Sequence, residues 1–132
     1  MENQNNEIEL TGFYLKPLEP TLHFVRCKPL VITEIHYQEL LTTQMKLSGN
    51  QKIFALVDVG SVKMVTRSAI QYASVASGKT CWASAFVVQT PIARMVFSFI
   101  MSIIKTEYPI KAFSDFESAK QWLNELKNQQ EL

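Results

Sequence analysis

The sequence has few of the residues that mark specialised chemistry. Its 132 residues include only two cysteines, Cys27 and Cys81, and these form neither a CxxC pair nor a spacing typical of metal ligands. Thioredoxin-like redox chemistry is therefore excluded, and two reduced, mostly buried thiols are expected. Neither a metal nor a cofactor is expected.

Charge and long apolar runs are scarce as well. The net charge is +1 and no basic run is longer than two residues, so no nucleic-acid partner is expected. The first ten residues are polar and acidic, which does not fit a signal peptide. The most apolar stretch, Pro91–Ile104, is too short to span a bilayer and is interrupted by Arg94 and two serines. A cytoplasmic protein is expected.

The length and the 47% apolar content fit one globular domain. We expect this domain over residues 7–127, with a disordered tail at 1–6 and a frayed tail at 128–132. Near the start, Glu7–Leu15 alternates like a strand but changes phase at Gly12, which predicts a bulge. Lys16–Pro20 contains two prolines and predicts a turn, and Thr21–Cys27 then predicts the second strand of a hairpin.

The rest of the chain alternates helices and strands. Ile53–Val59 is almost continuously apolar, as expected for a strand covered on both faces of a parallel sheet. Before this strand, a helix is predicted from a Thr33 cap to Leu47; its inward residues are Ile35, Tyr37, Leu40, Leu41 and Met45, and Gly49 ends it. After the strand, a helix is predicted over Thr66–Ser77; Gly78 ends it, and its small residues Ala69, Ala73 and Ala76 permit close approach to the sheet. The remaining predicted elements are a strand over Cys81–Gln89, a helix from a Thr90 cap to Lys105, a strand over Ile110–Ser114 and a closing helix capped by Asp115. This order predicts an α/β fold with an N-terminal β-hairpin followed by βα units, a mixed sheet, and helices mainly on one face.

Ligands of open parallel sheets gather where the strands end at their carboxyl termini. The candidate anion-binding or partner-binding residues at this edge are Asp58, Ser61, Thr66, Arg67, Ser68, Thr90 and Arg94, with Gly60, Gln89, Ser114 and Asp115 beside them. Arg67 and Arg94 are predicted in the first turns of consecutive helices, where the helix dipole disfavours cations. Both could face a bound phosphate or carboxylate; alternatively, both are solvated, or one of them pairs with Asp58.

The predicted helix over residues 92–104 is apolar on nearly every side. One stripe can pack on the sheet, and the remainder needs another cover. Three alternatives fit: burial under the closing helix, an interface with a second copy or another protein through Met95, Phe99 and Ile103, or the wall of an apolar ligand pocket.

Catalytic patterns are absent from the sequence. No nucleophile elbow, phosphate-binding loop or metal-ligand spacing occurs, and His23 and His36 are isolated in sequence, as structural or exposed histidines are. The acids that a response-regulator receiver carries after its first strand are missing too. A non-enzymatic protein is expected.

The segment from Asp58 to Ile70, DVGSVKMVTRSAI, resembles the pattern D-L-S-x-V-x-x-I-D-S-S-G-L of STAS domains, the anti-sigma-factor antagonist fold. Pro91–Arg94 and Phe113–Leu123 are also similar to the SpoIIAA-like group of small bacterial proteins. The resemblance implies the STAS fold and makes Ser68 the candidate phospho-acceptor. The residues around that serine differ from the pattern: Thr66 replaces the aspartate, Arg67 the first serine and Ala69 the glycine.

Two functions follow as hypotheses. The first is a regulatory or protein-interaction module that presents the Thr66–Ile70 helix start to an unknown protein partner, with a homodimer as a further arrangement. The second is a small-molecule binding domain, with an anion at Arg67 and Arg94 or an apolar ligand beside the helix over residues 92–104.

Overall fold

The structure, a computed structural model, describes residues 6–130. Residues 1–5 and 131–132, which belong to the expected tails, lie outside this range. The elements in chain order are β1 (Ile8–Glu9), β2 (Phe13–Glu19), β3 (Leu22–Cys27), β4 (Val31–Ile32), α1 (Glu34–Ser48), β5 (Ile53–Asp58), β6 (Met64–Val65), α2 (Arg67–Thr80), β7 (Cys81–Val87), α3 (Pro91–Ile103), β8 (Ile110–Phe113) and α4 (Phe116–Gln130). No helix within 6–130 is long and apolar enough to cross a membrane.

A mixed six-stranded sheet organises the chain, with strand order β1-β2-β3-β5-β7-β8. The pairs β1–β2 and β2–β3 are antiparallel, and every later pair is parallel. The predicted α/β fold with an N-terminal hairpin and βα units is confirmed. The sheet advances in one direction from β3 to β8, so right-handed crossovers place α1, α2 and α3 on the same face.

The two faces of the sheet have separate cores. Val25 and Val59 pack with Leu40 of α1 and Ala93 of α3 on one face. On the other face, a second set of buried side chains packs against α4: Leu22, Phe54, Leu56, Ala83, Ala85, Ala119 and Leu123. Because successive strand residues point to opposite faces, α3 and α4 lie on opposite sides of the sheet. The closing helix therefore does not cover α3, which rules out one of the three alternatives for that helix.

The N-terminal prediction was wrong in detail. Glu7–Leu15 is not one bulged strand, because a turn at 10–12 separates β1 from β2. Lys16–Glu19 belongs to β2, and the hairpin turns at Pro20–Thr21. Pro17 is tolerated there because β1 pairs only as far as Leu15 of β2, which leaves the other side of Pro17 without a neighbouring strand.

Helix boundaries also differ from those predicted. Gly49 ends α1 with a positive φ of 65°, as expected, but Ile35 is 74% exposed instead of inward. α2 continues through Gly78 to Thr80, and α3 ends at Ile103. α4 runs to Gln130, beyond the domain end expected at 127. The short parallel pair of β4 and β6 was not predicted, because two-residue strands carry no periodic signal.

Candidate functional site

The carboxyl ends of three parallel strands line up at one edge of the sheet. Asp58 of β5 pairs with Val87 of β7, and Val87 pairs with Phe113 of β8. The loops that follow these strands therefore leave the sheet side by side. They carry the predicted residues of this edge: Ser61 is exposed in the loop after β5, Gln89 and Thr90 are exposed after β7, and Ser114 and Asp115 are exposed after β8.

Asp58 shapes the first of these loops. Its Oδ1 accepts a hydrogen bond from the Gly60 amide at 2.9 Å, and Gly60 has a φ of 58°. This bond is the usual way in which an aspartate closes a tight turn. Burial, with a smaller contribution from the negative charge of Asp58, raises the pKa of Cys27 to about 12. Cys27 is therefore a neutral thiol rather than a nucleophile.

The start of α2 carries the second group of predicted residues. Thr66 Oγ1 accepts a hydrogen bond from the Ala69 amide at 3.1 Å, so Thr66 is the N-cap. Thr66 Oγ1 also lies 3.2 Å from Ser68 Oγ. Arg67 and Ser68 are both exposed, in the first turn of the helix. The candidate phospho-acceptor is thus accessible beside a cation.

Thr90 caps α3 in the same way, accepting from the Ala93 amide at 3.0 Å, with Pro91 at the first helical position. Arg94 is exposed in the next turn. The salt bridges within residues 6–130 join Arg26 to Glu7, Lys28 to Glu9 and Lys127 to Glu19. Neither Arg67 nor Arg94 is paired with Asp58, so both guanidinium groups remain available to a ligand or partner.

Asp115 serves the fold. It accepts hydrogen bonds from the Ser118 amide at 2.8 Å and from the Ser118 hydroxyl at 2.9 Å, and these bonds lower the pKa of its carboxyl group. The two histidines have structural contacts as well. His36 Nδ1 accepts from the Thr33 amide at 3.1 Å, and His23, which is fully buried, places Nε2 3.0 Å from the Pro20 carbonyl.

The outer side of α3 is an exposed apolar stripe. Ile92 is 66% exposed, Met95 70% and Phe99 37%, and Ile103 is half-buried. Their spacing of three or four residues places them on one side of the helix. We call these four residues the α3 stripe. It contains all three residues predicted as an interface.

The start of α2 and helix α3 are neighbours in the fold. β6, which leads directly into Thr66, contacts α3. Val65 of β6 and Val96 of α3 pack against the same buried cluster. The start of α2 therefore lies close to α3, the helix that carries the stripe.

A cavity of about 90 Å³ lies between the sheet and helices α1, α2 and α3. Ala69 and Ala73 of α2 line it, so the small-residue face leaves a space where close approach to the sheet was expected. Its polar lining includes Tyr37, Gln44, Ser77, Ser84 and Tyr108. These residues were not predicted as a site because they come from three separate elements and the loop before β8, and only the small residues of α2 could have indicated a void.

Within the described part of the chain, no three His, Cys, Asp or Glu side chains are grouped as metal ligands would be. Burial raises the pKa of Cys81 to about 11, so this thiol is neutral like that of Cys27.

The chain has a SpoIIAA-like α/β fold. It is similar to the crystal structure of an uncharacterized protein from the DUF3478 family with a SpoIIAA-like fold, from Shewanella loihica PV-4. The TM-score is 0.61 at 16% sequence identity, over 88% of this chain and 97% of that one. The likeness extends to the fold.

The chain belongs to the family described as a domain of unknown function, DUF7793, which matches residues 14–127. A comparison with functionally curated proteins gives no match.

Proposed function

We propose that this chain is a non-enzymatic protein-interaction module of the SpoIIAA-like type and that it binds another protein through the α3 stripe and the nearby start of α2. The observation that carries this proposal is the exposure of Ile92, Met95 and Phe99 on one side of one helix. Isolated exposed apolar residues are ordinary, but a stripe of them along a helix is typical of an interaction surface.

Two exposed arginines favour a partner that carries carboxylates. Arg67 and Arg94 lie near the N-termini of α2 and α3, where the helix dipoles disfavour a cation, and neither forms a salt bridge with a residue between 6 and 130. A carboxylate of a partner would offset the unfavourable helix dipole and give each arginine an ionic partner. It would also orient the complex. The partner we expect therefore presents an apolar surface with acidic groups at one end.

A reducing compartment suits this proposal. Cys27 and Cys81 are free cysteines, and both thiols are neutral. We accordingly place the module in the cytoplasm.

Replacing Met95 by glutamate tests the docking surface. A carboxylate in the centre of an apolar interface has to be desolvated, so we expect partner binding to weaken by at least about tenfold, or about 1.4 kcal/mol. The matched control is Ile35→Glu on α1, because Ile35 is as exposed as Met95 but lies outside the stripe. The measurement is retention of the interacting protein on immobilised wild type and on each variant, followed by titration with that protein once purified.

The proposal is supported if Met95→Glu loses the interacting protein and Ile35→Glu retains it. Equal retention by the two variants contradicts it. Sedimentation of the wild type alone separates the two kinds of partner: a dimer that Met95→Glu dissociates would show that the surface binds a second copy instead of a different protein.

Ser68 is the position at which we propose that binding is regulated. Phosphorylation would place about two negative charges next to Arg67, where they would compete with the carboxylates of the partner. We expect Ser68→Asp to weaken partner binding about 3- to 10-fold, whereas Ser68→Asn, which has nearly the same shape without the charge, leaves it unchanged. Binding of both variants like that of the wild type would remove the switch and leave the docking surface in place.

A further inference from the structure

The cavity beneath α1, α2 and α3 is large enough for a small molecule. At about 10–15 Å³ for each water-sized occupant, its 90 Å³ has room for about six to nine non-hydrogen atoms. Protein interiors are otherwise close-packed, with few voids larger than one water molecule. A space of this size under three helices therefore requires an occupant or costs stability.

Most of the cavity wall is apolar. Leu40, Ile70 and Ile100 contribute from the three helices, and Val57 and Phe86 contribute from the sheet. A cluster of water molecules would find few hydrogen-bond partners along these walls, since a buried water needs two to four of them. The body of the occupant is therefore apolar.

Hydroxyl groups from the helices and the sheet also line the cavity. Tyr37 Oη lies 2.7 Å from Ser77 Oγ, and Ser84 Oγ lies 3.5 Å from Tyr108 Oη. Burial is the main cause that raises the pKa of both tyrosines, so their hydroxyls stay neutral. A site with no charged group in its lining suits a neutral ligand.

Gln44 supplies the most informative polar group. It is only 2% exposed and lines the cavity, and its side chain makes no hydrogen bond with any other residue in the range 6–130. The buried side-chain atoms without a partner in residues 6–130 are His23 Nδ1 and Thr106 Oγ1, so the Gln44 amide keeps accessible surface through which a ligand can reach it. An amide in this position is stabilised when a ligand forms a hydrogen bond with it.

We propose that this cavity is a binding site for a small neutral molecule with an apolar body and one hydroxyl group, the body packing against Ile70, Phe86 and Ile100 and the hydroxyl bonding to the Gln44 amide. This site is separate from the docking surface, so either can fail without the other.

Phenol and toluene test the proposal, because both have seven non-hydrogen atoms and differ in one hydroxyl group. In titrations of the full chain followed by NMR, we expect phenol to shift the side-chain amide signals of Gln44 in a saturable way. Toluene should bind at least about tenfold more weakly, because it leaves the amide unpaired. The absence of a saturable shift with phenol, or equal binding of the two compounds, would overturn the proposal.

Two variants locate the site. Gln44→Met should reduce phenol affinity to that of toluene without lowering the melting temperature, since the unpaired amide is removed at similar volume. Ala73→Leu should fill the cavity and abolish binding, whereas Val75→Leu, at a position 68% exposed on the same helix, should leave binding unchanged. Unchanged phenol binding by Gln44→Met would contradict the assignment even if Ala73→Leu failed to fold.

Discussion

Replacement of Leu123 by alanine is expected to lower the free energy of unfolding by about 2–5 kcal/mol. Leu123 is fully buried and packs with Leu22, Phe54 and Leu56 between α4 and the sheet. Its truncation removes apolar burial and leaves a cavity, because strands paired on both sides cannot move inward to fill it. Urea unfolding measures the effect as a lower midpoint with an unchanged slope.

Val75→Ala is the control for Leu123→Ala, since it also shortens an aliphatic side chain on a helix but at an exposed position. We expect a change within about 0.5 kcal/mol for it. A loss below about 1 kcal/mol for Leu123→Ala would contradict the assignment of α4 as the cover of the second face.

Replacing Gly12 and replacing Gly78 by alanine should change the free energy of unfolding in opposite directions. A Cβ on Gly12 would lie 2.8 Å from His36 Cβ, and that atom cannot move without shifting α1. We expect Gly12→Ala to destabilise the protein by about 1–3 kcal/mol. A Cβ on Gly78 would meet nothing closer than Thr106 Oγ1 at 4.0 Å, so Gly78→Ala, within α2, should stabilise it by about 0.4–1 kcal/mol.

Thermal or urea unfolding of the two alanine variants measures both effects, and each variant is the control for the other. Equal effects of the two changes would contradict the close approach of the 10–12 turn to α1. A destabilising Gly78→Ala would contradict the continuation of α2 through position 78.

The core of the fold could be predicted because its signals are local. The unbroken apolar run of β5 indicates a strand buried on both faces, and Thr66 and Thr90 combine a capping hydroxyl with a helix that begins at the next residue. The similarity to STAS domains then gave the topology. That topology joins the candidate residues at one sheet edge.

The remaining features depend on contacts that no local pattern encodes. Pro17 signals a turn in sequence, but it lies in β2 because β1 ends before reaching it. α4 packs on the second face of the sheet, and no local pattern in its sequence distinguishes that face from the first. The cavity brings Tyr37 together with Ser84, which lie far apart in sequence and on elements that meet only after folding.

We propose that a partner protein docks on the α3 stripe, and cross-linking in living cells tests this most directly. A photoreactive amino acid is placed at position 95 in one variant and at position 35 in another, since both positions are highly exposed. We expect a discrete cross-linked protein from position 95 and none from position 35. Cross-linking from position 35 alone, or from neither position, would contradict the assignment of the α3 stripe as the docking surface.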